Sequence, residues 1–569
     1  MKIQRCLSVL VPVILVGIFA LMAALPATAQ IQVNSANPSA APQGTTNLNV
    51  IIAGNGFKKG ATAKWFVTGT TNPGGVTVNS TSFQSTTQLT ANITVASDAV
   101  ISGFDIVVTV ATRTGKGTDL FAVQASNSNT CTVQPLPSGI SWVGSLNYVT
   151  ANGAAAYGPI FGATTRSRQM VLGGLNVLVV GVGTPATTGN LEIFVLNPST
   201  GQVLDGTAIG SNTSVQPHIT VNLGAGTSGL AVGDVNGDGI PDFLAGSKET
   251  NAANAVVGSV DANGILSYRV YSLAIPANVS GTGWSGAMGD LQGTGNDVMA
   301  LGAIGSIGSG TTPGQVLLYE WNGAGFTNYL NIVSPLRNPK GGEEFGHGVA
   351  IADVTGSTAQ DLIVGAPVSI VGGQSGAGRV LIFPGPVSAT NYLSLTTGVK
   401  YDLLGTYVAA GDIDGDASAD GYMDVLATGS VDGTVGGRQG NPRALGYYGP
   451  VSGGQSSSFI LQPQSNLDLG WSTTQPAVGD VNGDGLADVM IGAPNAGSGQ
   501  ICGGAAYLWL SSGTPLATEI ILSTPVGNGA QYGYATEIGP GTRLFFVTDH
   551  YFNIGSTSQA GQVYVYKLN

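Results

Sequence analysis

Two stretches of the chain concentrate oxygen-bearing side chains at fixed spacing. Residues 231–242 read A-V-G-D-V-N-G-D-G-I-P-D, and residues 477–488 read A-V-G-D-V-N-G-D-G-L-A-D. Counted from the first aspartate, Asp234, Asn236, Asp238 and Asp242 stand at positions 1, 3, 5 and 9, and Asp480, Asn482, Asp484 and Asp488 repeat the pattern. A hard cation such as calcium takes about six to eight oxygen ligands at about 2.3–2.6 Å. Alternating carboxylates and amides around a tight turn supply them, with the backbone at Ile240 and Leu486 (position 7) completing the set. Gly239 and Gly485, at position 6, permit the positive φ that such a turn demands. Asp-Gly and Asn-Gly are ordinary turn signals when single. Two near-identical copies with four oxygen donors each read as calcium loops.

The elements around these loops are strands. A helical calcium hand would carry a bidentate Glu at position 12, but Ala245 and Ile491 stand there. The flanking triplets F-L-A and V-M-I have the apolar, partly β-branched character of strands. Three further loops begin with aspartate. Asp412, Asp414 and Asp416 open a third strongly acidic loop, and aligning on the strand V-L-A-T-G puts Asp424 at position 9, with residues 417–420 as an insertion. Simple counting puts Asp420 there instead; the strand alignment is preferred. Asp353, Thr355, Ser357 and Asp361 form a loop in which two hydroxyls replace stronger donors, so its calcium affinity is expected to be weaker. The loop at Asp290 runs to Asp297, reads as one residue short, and is expected to be structural.

Catalytic patterns are missing. The chain has no H-E-x-x-H, no G-x-S-x-G and no phosphate-binding loop. His218, His347 and His550 lie far apart without a companion nucleophile, and His347 reads as a packing residue. Trp142, Trp284, Trp321, Trp471 and Trp509 read as core aromatics in preference to sugar-stacking platforms.

Composition narrows the class. With 88 glycines in 569 residues and only 9 % charged residues, the chain suits many short strands separated by turns, an all-β protein. Lys2 and Arg5, the apolar run over residues 7–25 and Ala27-Thr28-Ala29 make residues 1–29 a secretory signal peptide cleaved after Ala29. Its loss takes the formal charge from −12 to −14, which argues against nucleic acid and anionic lipid as partners. No later stretch is long enough for a spanning helix. Cys131 and Cys502 remain, either paired in an oxidising compartment or as buried thiols.

Residues 30–124 show alternating runs at 48–52, 62–67, 89–95, 105–110 and 120–123, the spacing of a sandwich of about seven strands. The order N-P-S-A-A-P-Q-G-T-T-N-L-N-V-I-I-A-G-N-G-F, then Trp65, then G-F-D-I-V-V-T-V, resembles IPT/TIG-type immunoglobulin-like domains. Residues 125–137 read as a polar linker. From residue 138 onward the aspartate loops recur at Asp234, Asp290, Asp353, Asp412 and Asp480, each between apolar strands, with degenerate units at 170–198 and 532–568. A period near 60 residues with about four strands per unit is the mark of a propeller, and five plus two units make seven blades.

The segment Glu344-Phe345-Gly346-His347-Gly348, the Asp353 loop and Gly365-Ala366-Pro367 together resemble the FG-GAP repeat of integrin α-subunit propellers and bacterial VCBS-type proteins. The resemblance covers roughly residues 140–569. The Asp480 unit keeps Gly492-Ala493-Pro494 but has Leu469-Gly470-Trp471 in place of Phe-Gly. It implies a seven-bladed propeller with calcium in loops between blade strands. The expected function is an exported, secreted or cell-surface (or periplasmic) calcium-binding protein without enzymatic activity, engaging a protein or glycan in adhesion. The competing expectations are a polysaccharide hydrolase or lyase built on a propeller, and a purely structural surface component.

Overall fold

The computed structural model describes residues 30–96, 99–100, 102–124, 136–146, 161–169, 176–182, 189–202, 218–224, 226–306, 312–336, 342–415, 421–429, 443–461, 476–494, 503–512, 518–524, 531–549 and 561–569. The signal segment, nearly all of the linker, Cys131, Cys502, Asp416, Asp420, Trp471 and His550 lie outside them, as does the side chain of His218. Among the described residues every regular element is a strand. The chain divides into two compact units at Gln124/Ala125.

The first unit holds two four-stranded sheets. One has the order Gln32–Asn37, Leu48–Asn55, Gln88–Val95, Val76–Ser85; the other runs Ala40–Pro42, Arg113–Gln124, Ser102–Val110, Thr62–Val67. Gln88–Val95 alternates strictly between buried and half-buried residues, as a sheet covered on one face must. Its inward Leu89, Ala91 and Ile93 share one core with Ile52, Phe104 and Ile106. Trp65 meets Phe121 edge-on in that core, centroids 6.0 Å apart. The five runs read from sequence are all strands. Gln32–Asn37, Ala40–Pro42 and Val76–Ser85 were not anticipated, because polar residues such as V-T-V-N-S-T-S-F-Q-S conceal their alternation.

The described part of the second unit forms seven four-stranded sheets. Sheets one to six span residues 161–222, 229–272, 282–333, 349–395, 408–461 and 477–523, each with its strands in chain order. Sheet seven takes three strands from residues 532–568 and its fourth, Ile140–Leu146, from the other end of the unit, antiparallel to Gln562–Leu568. Nothing in I-S-W-V-G-S-L marks it as the partner of a strand over four hundred residues away. Each sheet's first strand packs against the first strand of the next, and that of sheet seven against that of sheet one. Second strands such as Asp242–Ser247 and Asp361–Ala366 are buried throughout. They read as continuous apolar runs because both faces meet neighbouring sheets. Separate cores join sheets three and four (Leu318, Val364), four and five (Ile363, Val425), and one and seven (Leu178, Phe546).

The repeated glycines belong to these junctions. A Cβ on Gly365 would lie 1.8 Å from the Gly405 carbonyl oxygen in the next sheet, and one on Gly492 equally close to that of Gly533. Gly346, Gly405 and Gly533 themselves adopt φ of 92°, 90° and 89°, a region open to glycine alone at little cost.

Candidate metal centre

Five loops join the first and second strands of sheets two to six, and strand register aligns them. Gly233 pairs with Asp242, Ala352 with Asp361, Gly411 with Asp424 and Gly479 with Asp488. The ninth-position aspartate is thus the first residue of the second strand. In all four loops it is fully buried. One carboxylate oxygen accepts the N–H of loop position 2, from Val235 (2.8 Å), Val354 (2.8 Å), Ile413 (2.7 Å) or Val481 (2.9 Å). The other accepts an N–H from the sheet's third strand or just beyond it, from Gly258 (2.8 Å), Gly385 (3.0 Å), Gly449 (2.9 Å) or Ser511 (2.8 Å). These aspartates therefore tie the loop to the body of its sheet.

The first-position aspartates lie nearer the surface. Asp234 accepts from the N–H of Gly237 and Gly239, both at 2.8 Å, and Asp480 from Gly483 (2.6 Å) and Gly485 (2.8 Å). Asn236 and Asn482 accept from the N–H of Asp238 and Asp484. Asp238 and Asp484 in turn accept from the N–H of Ile240 and Leu486. Backbone N–H groups thus hold the side-chain oxygens of positions 1, 3 and 5 in both loops. Burial, with like charge from Asp238 and Asp234 added, pushes the Asp242 carboxyl up to about 7. Burial, with Asp484 and Asp480 added, raises Asp488 to about 6. Crowded, partly desolvated carboxylates of this kind fit a divalent cation.

In the Asp412 loop, ligand oxygens of Asp412, Asp414 and Asp424 lie within 4.8 Å of one another. Among the described residues this is where three acidic or metal-ligating groups converge most closely. The strand register places Asp424, beside Asp412, where Asp242 stands beside Asp234.

The Asp353 loop is organised differently. Ser357 Oγ donates to Asp361 Oδ1 at 2.6 Å, close to the Ala359 carbonyl at 2.7 Å, and Thr355 Oγ1 is buried without a partner. The serine hydroxyl thus lies directly against the ninth-position carboxylate. The Asp353 carboxyl is raised, mainly by burial.

The Asp290 loop corrects the sequence reading. It is not one residue short: Gly289 pairs with Val298, so Val298 holds position 9 and the loop has full length. Asp297 is its eighth residue, and its carboxylate leaves the loop for the preceding sheet. Burial acts against ionisation of Asp290, but the N–H groups of Gly295, Thr294 and Gln292 outweigh it and hold its carboxyl below the usual range.

Two features escaped the sequence reading. Residues at position 8 bond to the preceding loop: the N–H groups of Asp297, Gln360, Met423 and Ala487 donate to the carbonyls of Asp234, Asp290, Asp353 and Asp412. Only the repeat spacing hints at this. Also, first strands of all seven sheets line one cavity of about 200 Å³, where small residues such as Ala287, Ala350 and Ala409 surround Arg166 and Glu537, 3.7 Å apart.

His347 is buried, with Nδ1 2.7 Å from the Thr406 carbonyl and its ring between Trp284 and Tyr407. Trp509 is buried and Trp321 packs on Tyr271. Trp142 departs from the expected core role: it is 41 % exposed, its Nε1 donating to the Gly144 carbonyl.

An FG-GAP repeat is matched at residues 472–508 and an FG-GAP-like repeat at residues 188–245. Integrin alpha-IIb of Mus musculus is 28 % identical over 30 % of this chain and 17 % of its own length. Integrin alpha-IIb of Homo sapiens is 30 % identical over 30 % of this chain and 16 % of its own length. Integrin alpha-4 of Xenopus laevis is 27 % identical over 37 % and 19 %. The chain thus spans less than a fifth of the length of these relatives.

Proposed function

We propose that this FG-GAP repeat chain is an exported, calcium-stapled, seven-bladed propeller that binds a protein or glycan partner outside the cell, preceded by an IPT/TIG-like immunoglobulin-type module. The observation that carries the calcium reading is the convergence of Asp412, Asp414 and Asp424, repeated in donor type by the Asp234 and Asp480 loops. Asp234, Asn236, Asp238, Asp242 and the position-7 backbone of Ile240 would hold one ion. Asp480, Asn482, Asp484, Asp488 and Leu486 would hold a second, and the Asp412 loop a third. The Asp353 loop, with Ser357 already bonded to Asp361, is the weakest. Bound calcium neutralises the crowded carboxylates and cross-links the ends of each loop. The closed succession of first strands supports the seven-bladed ring, and closure leaves no unpaired sheet to aggregate.

The adhesion-type reading is supported by the integrin similarity and by the absence of any catalytic motif. No helix among the described residues is long and apolar enough to cross a membrane, and export rests on the signal-like residues 1–29. The test is a screen of immobilised glycans and extracellular proteins, run with calcium and with chelator. Calcium-dependent retention of one ligand class without its conversion is the expected result; turnover of a glycan would overturn the binding-protein reading.

A further inference from the structure

We propose that Asp297 is a positioning residue for the cation loop of the preceding sheet, which makes the affinity of the Asp234 loop a property of two sheets. The inference rests on the calcium reading above. Asp297 is acidic and next to position 9, yet it contributes nothing to its own loop, where Val298 holds that place. It grips the peptide groups on both sides of the Asp234 Cα instead. Its N–H donates to the Asp234 carbonyl at 3.0 Å, and its Oδ2 accepts the Asp234 N–H at 2.7 Å. The same Oδ2 accepts from Arg168 Nη1 of sheet one at 3.0 Å. Three successive sheets therefore meet at one carboxylate oxygen.

The grip depends on side-chain chemistry. Gln360 repeats it one sheet further on: its N–H reaches the Asp290 carbonyl at 3.1 Å and its Oε1 accepts the Asp290 N–H at 2.7 Å. Met423 and Ala487, at the same place in the next sheets, make only the backbone half, because neither side chain accepts a hydrogen bond. At Asp234 the two-point grip fixes the backbone of the residue whose carboxylate opens the ligand set, so the carboxylate is preorganised before a cation arrives. Arg168 balances the charge that Asp297 would otherwise add beside the loop. Partners of this kind, one shell outside the ligands, typically change metal affinity by about 10–100-fold.

The experiment uses the full chain carrying Asp412→Ala and Asp480→Ala, so that calcium uptake reports chiefly on the Asp234 loop. Calcium affinity is measured by calorimetry for this parent and for added Asp297→Ala, Asp297→Asn or Gln360→Ala, with each chain's melt recorded in chelator. The expected result is about tenfold weaker binding for Asp297→Ala, recovery with Asp297→Asn, which keeps the acceptor as Gln360 does, and no change for Gln360→Ala. Unchanged affinity in a folded Asp297→Ala chain overturns the proposal, as does an Asp297→Asn chain as weak as the alanine. A parent that takes up no calcium overturns the calcium reading of this loop itself, an outcome distinct from the other two.

Discussion

Gly365 lies so close to Gly405 of the next sheet that a Cβ on the first would stand 1.8 Å from the carbonyl oxygen of the second. The glycine of the G-A-P element in one repeat and the glycine that opens the next are thus two halves of one inter-sheet contact. Gly365→Ala must move a backbone carbonyl and is expected to destabilise the chain by about 1–3 kcal/mol, the usual cost of overpacking. Gly325→Ala, where an added Cβ meets nothing within 4 Å, should change little. Denaturant melts of the two variants, compared with the parent, check this.

Asp242 and Asp234 belong to the same loop and should fail differently. Asp242→Ala leaves the buried N–H of Val235 and Gly258 without acceptors, a loss of about 1–3 kcal/mol for each such group, and should lower the melting temperature even in chelator. Asp234→Ala removes an acceptor from exposed or half-exposed N–H groups that water can satisfy. It should lower the melt only when calcium is present and cost about one bound ion per chain. Metal analysis alongside melts in calcium and in chelator separates the two.

Calcium itself should stabilise the folded chain. An ion bound by the native loops and not by the unfolded chain contributes about 2.7 kcal/mol at a hundredfold excess over Kd. Chelator is expected to lower the melting temperature, and added calcium to restore it. An unchanged melt together with no bound metal would remove calcium from the account.

His347 sets a pH dependence of known sign. Burial pushes its imidazole down to about 4, and Lys248 acts in the same direction against the hydrogen bond to Thr406. Glu344, 4.0 Å from Nε2, has its own carboxyl raised by burial. The unfolded chain, with an ordinary value of 6.5, takes up the proton first as the pH falls. Stability from His347 is therefore complete above about 6.5 and is lost progressively down to about 4, by up to about 3 kcal/mol. His347→Phe should flatten that part of the curve. The comparison belongs in saturating calcium, because the raised carboxyls of Asp242 and Asp488 act with the opposite sign.

The spacing of the loop oxygens and the repeat itself were legible in the sequence, because both are local. D-x-N-x-D-G-x-x-D places its oxygens within nine residues, and a two-residue period within short apolar runs marks strands without knowledge of their neighbours. The alignment on V-L-A-T-G likewise selected Asp424, since a strand's register carries over from repeat to repeat. What tertiary structure alone decided are the relations between repeats. Ile140–Leu146 completes sheet seven only because the two ends of the second unit meet there. The loop from Asp290 to Asp297 reads in sequence as one residue short and structural, and only pairing of Gly289 with Val298 reveals a full-length loop whose acid serves its neighbour. Trp142 was assigned to a core by type, whereas its exposure depends on which face of a terminal strand is covered. A hydrogen bond or a packing face between sheets costs no local signature in the chain, so nothing short of the folded arrangement discloses it.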